Sequence, residues 1–454
     1  MKWCLFLVLL SARLMLMAEE VVSPNGQTRV SFYVEDGRMT YEMWYKGRLV
    51  VAPSHLGIEL INWPSLMEGF EMEGVEYASF DETWQPVWGE ETSIRNHYNE
   101  MAAHVVQHLQ PSIDVSLSAP RHIIIRFRVY DEGVGFRYEL PRHANLDNVK
   151  IREEHTEFCM TADHTAYWIP GDYDTDEYEY TISPLSKIKD LEEQARTENA
   201  TQSAIPAPST QTSLLMKTAD GLFINIHEAA LVNYSAMHLV APPTAPEGAS
   251  LEMSAEAFVA PSGAEREATF LLESHLTPDA RGMKGYLRCP ATTPWRTIIV
   301  ADDAREMLAS RMILNLNEPC KLSDTSWIHP VKYMGVWWEM MTGASTWNYG
   351  DYQPVDIYTT DFTAIKKSPR HGANNDNVRR YIDFASKHGF SQLLVEGWNL
   401  GWEDNWQKHI NYSFTQSYPD FDVPALQQYA RERGMQLMMH HETSSSIQNY
   451  ERQL

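Results

Sequence analysis

One short segment combines a carboxylate with two imidazoles. Residues 440–443 have the sequence HHET and follow the apolar run Met435–Met439. Neighbouring side chains of an extended chain point to opposite sides, so His440 and Glu442 share one side and His441 faces the other. A carboxylate beside an imidazole is suited to general acid–base catalysis. The segment therefore predicts that Glu442 reaches the mouth formed at the strand ends, with His440 beside it.

Two other interpretations of this segment were weighed. The HExxH zinc motif requires a different spacing on a helix, whereas a strand is predicted before HHET, so a metalloprotease is disfavoured. Glu442 could instead cap a helix that begins near Ser444, because carboxylates are favourable at helix N-termini. This second interpretation stays open at the level of the sequence.

A second carboxylate, Glu396, stands among tryptophans. Residues 395–403 have the sequence VEGWNLGWE, in which Trp398 and Trp402 flank glycines that allow tight loops, and Trp406 follows. A sugar stacks its apolar face on aromatic rings while its hydroxyls donate hydrogen bonds to carboxylates. The segment predicts a sugar-binding loop, although three indoles packed beneath a loop would give the same composition.

Residues 168–180, WIPGDYDTDEYEY, concentrate acidic side chains in a turn-rich segment. Asp174, Asp176, Glu177 and Glu179 offer the hard oxygen ligands that Ca²⁺ prefers, but their spacing is not that of an EF-hand. The alternative is a solvated acidic loop.

The first part of the chain has the pattern of a β-sandwich. Alternating apolar and polar residues predict strands within Arg29–Val34, Met39–Val51 and His122–Leu140, with turns such as Lys46-Gly47 between them. The polar interval Leu191–Thr212 is predicted to be a surface loop, and Asp302–Ser310 a helix.

The last part alternates apolar runs with helical patterns. The predicted strands are Lys332–Trp338, Phe390–Val395 and Met435–Met439, and the predicted helices are Asn377–His388 and Val423–Arg433. This order predicts a parallel α/β domain, whose site forms at the carboxyl ends of its strands. Each strand ends in an acidic cluster, as on the active face of a (β/α)₈ barrel, of which only about half the roughly 250 residues are present.

Composition and the N-terminus exclude several classes of protein. The 454 residues carry a net charge of -24, which argues against nucleic acid as a partner. The first eighteen residues have a basic start, an apolar run and a small residue at Ala18, which predicts a secretory signal peptide and no membrane anchor. Three sparse cysteines would remain after cleavage, so neither a disulfide framework nor a thiolate zinc site is expected.

Taken together, these segments resemble glycoside hydrolase family 97. The shared features are the signal peptide, the β-rich first part, GVWWEM at residues 335–340, VEGWN at 395–399 and HHET at 440–443. The resemblance implies a multidomain β plus α/β protein with a signal peptide (1–18), an N-terminal β-supersandwich (19–290), a linker with a helix (291–330) and the first part of a (β/α)₈ catalytic barrel (331–454). It also implies secretion, to the periplasm of a Gram-negative bacterium.

The resemblance further implies a role for individual residues. The family comprises exo-acting α-glucosidases that invert and α-galactosidases that retain. Glu442 matches the general base of the inverting members, which favours an α-glucosidase acting on oligosaccharides. The expected substrate-binding residues are Glu396, Trp398, His440 and Trp338.

The same resemblance implies Ca²⁺, with Glu179 as the ligand from the N-terminal domain and Glu177 as the fallback. The family's general acid lies on later barrel strands, so the chain is expected to be C-terminally truncated and inactive as given. A retaining α-galactosidase and a non-catalytic carbohydrate-binding fragment are the alternatives.

Overall fold

A computed structural model describes residues 18–109, 118–198, 202–241, 270–351, 353–403 and 412–442. The chain divides into two compact units, Met1–Lys321 and Leu322–Leu454, which are described separately. Apart from Ala18, the predicted signal peptide lies outside the described residues. In the described ranges, no helix has the length and apolar character needed to cross a membrane.

The first unit consists mostly of antiparallel strands. They are β1 Glu19–Val22, β2 Thr28–Glu35, β3 Arg38–Tyr45, β4 Arg48–Leu56, β5 Ile58–Leu60, β6 Phe70–Trp84, β7 Ile94–Gln107, β8 Arg121–Tyr130, β9 Gly133–Leu140, β10 Asn148–Glu154, β11 Glu157–Met160, β12 Thr165–Trp168, β13 Thr181–Pro184, β14 Ser209–Gln211, β15 Leu214–Lys217, β16 Phe223–Ala229, β17 Met237–Val240, β18 Phe270–Leu276, β19 Gly285–Arg288, β20 Ala291–Thr292 and β21 Trp295–Ala301. Its helices of the α type are α1 Ile188–Ala195, α2 Ala304–Ala309 and α3 Met312–Asn315.

Two large sheets face each other across one apolar core. One has the order β1-β2-β3-β4-β11-β18-β17-β14, and the other β13-β12-β15-β16-β21-β9-β8-β7-β6 with β20 paired to β9. Alternate residues of each strand point inward, which brings Phe32 of the first sheet within 5.5 Å of Phe127 of the second, ring to ring. A small sheet, β19-β10-β5, completes the unit. The predicted β-rich first domain is confirmed.

The predicted strand segments match this sandwich closely. β2 and β3 pair over their full length, and the predicted Lys46-Gly47 turn joins β3 to β4, with φ values of +50° and +75°. The predicted loop Leu191–Thr212 is wrong at both ends, because α1 runs to Ala195 and β14 begins at Ser209. An ion pair of 2.7 Å between Arg196 and Glu192, one turn apart, favours the helical conformation there.

The predicted linker starts too early. Residues 291–301 form β20 and β21, and β21 is an interior strand between β16 and β9. All seven residues of β21 are buried, so it lacks the alternation that identified other strands. Its Arg296 is fully buried and forms ion pairs with Glu154 and Glu228. The first unit therefore extends to Lys321 rather than ending near residue 290.

The second unit contains a parallel sheet with order β22-β23-β24. Its elements are β22 Tyr333–Val336, α4 Trp338–Met341, α5 Asn375–Lys387, β23 Gln392–Val395, α6 Val423–Arg431 and β24 Gln436–Met439. The side chains of Asn374 and Asp422 cap α5 and α6 by accepting hydrogen bonds from backbone N–H groups. Buried Val378, Ile382 and Leu426 pack these helices on the sheet. The three predicted parallel strands and both predicted helices are confirmed.

Candidate active site

The carboxyl ends of β22, β23 and β24 lie side by side. Backbone hydrogen bonds continue one residue past the strands, from the Glu396 N–H to the Val336 carbonyl (3.1 Å) and from the His440 N–H to the Val395 carbonyl (3.3 Å). Val336 and Val395 are fully buried, so the sheet below this edge is fixed by packing. The parallel register therefore brings Glu396 and His440 to the same edge, as the sequence predicted.

Glu396 is half-buried and is held by a tryptophan from a distant loop. The indole Nε1–H of Trp347 donates a hydrogen bond of 2.7 Å to Glu396 Oε2. The Trp347 ring stacks on Trp402, with centroids 6.2 Å apart and planes 11° apart. The Trp347 indole thus orients one oxygen of the Glu396 carboxylate. The carboxylate is a hydrogen-bond acceptor that lies beside this indole.

The turn after Glu396 depends on a glycine. Gly397 has a φ of +72°, and a Cβ at this position would lie 2.9 Å from the Trp347 carbonyl oxygen. Any other residue would be strained here and would collide with the backbone of the loop that carries Trp347. Gly397 therefore permits the close approach that places the indole on Glu396.

Trp398, which the sequence predicted to bind the sugar, is buried. It is only 4% exposed, and its Nε1–H donates to the His440 carbonyl oxygen at 2.7 Å. Its ring packs against Phe421 and His441. Trp398 therefore ties the end of β23 to the end of β24 and offers no free face for stacking on a sugar, because the core already covers it.

The two histidines of HHET have different surroundings. The His440 ring lies 6.3 Å from Trp402, whereas the His441 ring stacks on Phe414 at 4.6 Å. Burial, and secondarily the neighbouring His440, lowers the pKa of His441. His441 is therefore neutral at pH 7. Glu442 is half-buried at the end of the described segment, and Thr443 and Ser444, on which the helix-cap interpretation depends, lie outside the described residues.

The remaining predicted substrate residue, Trp338, lies in α4 directly after β22. It is 61% exposed, and its ring packs edge-on against Trp337 at 5.2 Å. Its exposed indole is available to a ligand at this edge, but no contact observed in the described residues links it to Glu396 or His440.

The acidic segment of the first unit is organised around Asp172, which the sequence had not singled out. Its buried carboxylate accepts hydrogen bonds from the N–H groups of Asp174, Thr175 and Ser203 and from the Tyr178 hydroxyl. Burial, with the nearby Asp172 charge, raises the pKa of Asp174. Asp172 is thus a structural anchor of this loop.

The predicted calcium ligands of this loop are both solvent-exposed. Neither Glu177 nor Glu179 is buried, and within the ranges described above no group of three His, Cys, Asp or Glu side chains is arranged to hold a metal. A calcium site takes about six to eight oxygens. Glu179 therefore remains a predicted ligand.

Three residues that support the edge were missed by sequence reasoning. Trp347 lies in a loop without a recognisable motif, so no sequence signal identified it. Glu403, at the end of the tryptophan-rich segment, is fully buried and accepts hydrogen bonds from the N–H groups of Tyr349 and Gly350 and from the Tyr418 hydroxyl. It thereby fixes the loop that carries Trp347. His371, the third, binds the Gly397 carbonyl.

Comparisons with known proteins identify the same family in both parts of the chain. The family profile "Glycosyl-hydrolase 97 N-terminal" matches residues 21–319, and "Glycoside hydrolase 97" matches residues 337–454. A glycoside hydrolase family 97 enzyme from Pseudoalteromonas sp. strain K8, solved with acarbose, is 33% identical with a TM-score of 0.75, and the match covers 96% of this chain and 56% of that one. A variant of that enzyme in complex with panose gives 32% identity, a TM-score of 0.74 and the same coverage.

Among curated relatives, a protein of Bacteroides thetaiotaomicron named retaining alpha-galactosidase is 24% identical over 434 residues, which is 92% of this chain and 55% of that protein. The chain thus spans about half the length of the relatives it matches.

Proposed function

Because the chain belongs to glycoside hydrolase family 97, we propose that the complete protein is an exo-acting α-glucosidase that hydrolyses oligosaccharides with inversion. The observation that carries the proposal is the oriented carboxylate of Glu396, held by the Trp347 indole beside the Trp402 ring and next to His440. Sugar hydroxyls donate to such a carboxylate, and the half-buried Trp347 indole offers an apolar surface beside it.

The choice of α-glucosides rests on the structural relatives. The enzyme from Pseudoalteromonas sp. strain K8 binds panose and acarbose, and it is 32 to 33% identical to this chain, against 24% for the curated α-galactosidase. Panose is a trisaccharide of α-linked glucose units. The greater similarity therefore favours a glucoside.

In the proposed reaction Glu442 is the general base. Its carboxylate removes a proton from the water that attacks the anomeric carbon, while a general acid on the opposite side protonates the leaving oxygen. In inverting enzymes these two carboxyl groups stand roughly 6.5 to 9.5 Å apart, which leaves room for the water.

Three further proposals accompany this one. The parallel sheet β22-β23-β24 is the start of a (β/α)₈ barrel. Calcium binds to Glu179 together with oxygen ligands from outside the acidic loop, and it would supply a fixed positive charge that orients carboxylates. The N-terminal signal peptide exports the protein, to the periplasm in a Gram-negative host.

A retaining α-galactosidase is the second candidate, because the curated relative carries that name. In that case a carboxylate other than Glu442 would act as the nucleophile, and Glu442 would have no role as the base.

The deciding experiment uses the full-length protein on p-nitrophenyl α-glucoside and α-galactoside, with proton NMR of the sugar as it is released. We expect turnover of the glucoside with β-glucose appearing first. Release of α-galactose would establish the alternative, and turnover of neither would refute both. The 454-residue chain, assayed in parallel, is expected to be inactive, because inversion needs an acid as well as a base and only the base is assigned within it.

A further inference from the structure

A histidine beneath the candidate site has an unusual hydrogen-bonding environment. His371 lies just before α5, and its side chain is fully buried. Its Nδ1 is 3.0 Å from Asp420 Oδ2, and its Nε2 is 3.0 Å from the carbonyl oxygen of Gly397. Gly397 is the residue directly after Glu396, so this ring supports the turn that carries the proposed sugar ligand.

Both partners of the His371 ring are acceptors. A neutral imidazole has one N–H donor and one bare nitrogen, whereas a carbonyl oxygen and a carboxylate oxygen can only accept. Two hydrogen bonds of normal length therefore require a proton on each ring nitrogen, which makes the ring a cation. A bare nitrogen facing either oxygen inside the protein would leave a buried polar group unsatisfied, which is destabilising.

The surroundings supply the charge that this cation needs. Burial acts to raise the pKa of Asp420, but the hydrogen bond and charge of His371, together with those of Lys367, outweigh it and hold that pKa below its ordinary value. Lys367 also contacts Asp420 Oδ2, at 2.9 Å. Asp420 is therefore ionised at neutral pH and cannot lend a proton to His371.

The other groups that face His371 are uncharged. The rings of Tyr349 and Tyr418 pack against it edge-on, at 5.7 and 5.2 Å. Burial raises the pKa of both phenols, so neither ionises near neutral pH. Among the described contacts, the charged groups around the ring are thus Asp420 and, through it, Lys367.

We propose that His371 is a positioning residue that carries both ring protons, and that it fixes the Gly397 carbonyl and hence the orientation of Glu396 toward the sugar. The proposal rests on the proposed function of Glu396 as a substrate ligand. A ring that carries a single proton keeps only one of these two hydrogen bonds, either to Gly397 or to Asp420. Substrate binding then weakens on the alkaline side, with KM rising while kcat changes little.

Asp420→Asn provides a variant that separates positioning from charge. Its amide can donate to a neutral His371 Nδ1 while the ring keeps its proton on Nε2 for Gly397. We expect this variant to bind substrate nearly as well as wild type at neutral pH and to lose the alkaline rise in KM. His371→Ala removes the support altogether. Its KM should be about tenfold above the wild-type value at neutral pH and should stay there at every pH, consistent with one lost charge-assisted hydrogen bond.

The test combines two measurements on the full-length protein. Nitrogen-15 NMR of the histidine rings reports whether both His371 nitrogens are protonated at pH 7, independently of any activity. Profiles of KM against pH are then compared for wild type, Asp420→Asn, His371→Ala and the control His388→Ala, which alters an exposed histidine after α5. If His371→Ala does not fold, the NMR spectrum and the Asp420→Asn profile still decide the question.

A ring with a single proton at pH 7 would overturn the proposal, and so would an alkaline rise in KM that is unchanged in Asp420→Asn. A doubly protonated ring, with the rise abolished in Asp420→Asn and retained in His388→Ala, would support it. Failure of the proposed function is distinguishable, because the wild-type protein would then bind no glucoside whatever the state of the ring.

Discussion

The indole hydrogen bond to Glu396 can be removed without removing the aromatic ring. Trp347→Phe deletes the Nε1–H that lies 2.7 Å from Glu396 Oε2, and it keeps a ring that can stack on Trp402. Glu396 retains its charge and its place after β23. The substitution therefore isolates the contribution of one oriented donor.

The size of the effect follows from the environment of Glu396. A hydrogen bond to a charged group contributes about 1.5 to 3 kcal/mol. Because Glu396 is half-buried, water can replace part of the lost bond, so the lower end applies. A loss of about 1.5 kcal/mol corresponds to roughly a tenfold decrease in kcat/KM. Most of it should appear in KM, because a substrate hydroxyl bound to Glu396 is held in both the ground state and the transition state.

The assay is steady-state hydrolysis of an α-glucoside by the full-length protein, with thermal melting to verify folding. Trp327→Phe is the matched control, because the indole N–H of Trp327 also donates to a loop oxygen, the Asp324 carbonyl at 3.1 Å, but from a largely exposed position. We expect the control to retain wild-type kinetics. A kcat/KM within twofold of wild type in Trp347→Phe, or an equal loss in the control, would refute the reasoning.

Three other predictions concern catalysis, calcium and stability. In the full-length protein, Glu442→Gln should abolish most of kcat with KM nearly unchanged, and an unchanged kcat in stopped assays would exclude a base at this position. Activity lost to a chelator should return with Ca²⁺, less completely in Glu179→Gln than in Glu177→Gln, and equal recovery in the two variants would exclude Glu179 as a ligand. Arg296→Met should destabilise the first unit by about 3 to 5 kcal/mol in denaturant unfolding, because it leaves the buried Glu154 carboxylate without its cation. Adding Glu154→Gln should restore part of the lost stability. An Arg296→Met variant as stable as wild type would contradict this.

The sequence by itself determined several strands of the sandwich, the helices α5 and α6, and the edge at which the candidate site lies. Period-two alternation in β2 and β3 reflects one buried face per strand, a local property that survives in any arrangement of the sheets. Apolar runs followed by polar residues placed Glu396 and His440 at strand ends, and the carboxyl ends of parallel strands meet at one edge. Local patterns failed where both faces are covered, as in β21, whose burial depends on its neighbours in the sheet.

Tertiary structure alone decided which side chains support the site. Trp398 stands within a motif that predicted sugar binding, yet packing around β23 and β24 buries it. Trp347 and His371 reach Glu396 and Gly397 from loops 49 and 26 residues away along the chain, and no local pattern records such contacts. The physical reason is that a strand's own periodicity reports which face it buries, whereas the partners of a polar atom at the end of that strand are set by how distant loops fold over it.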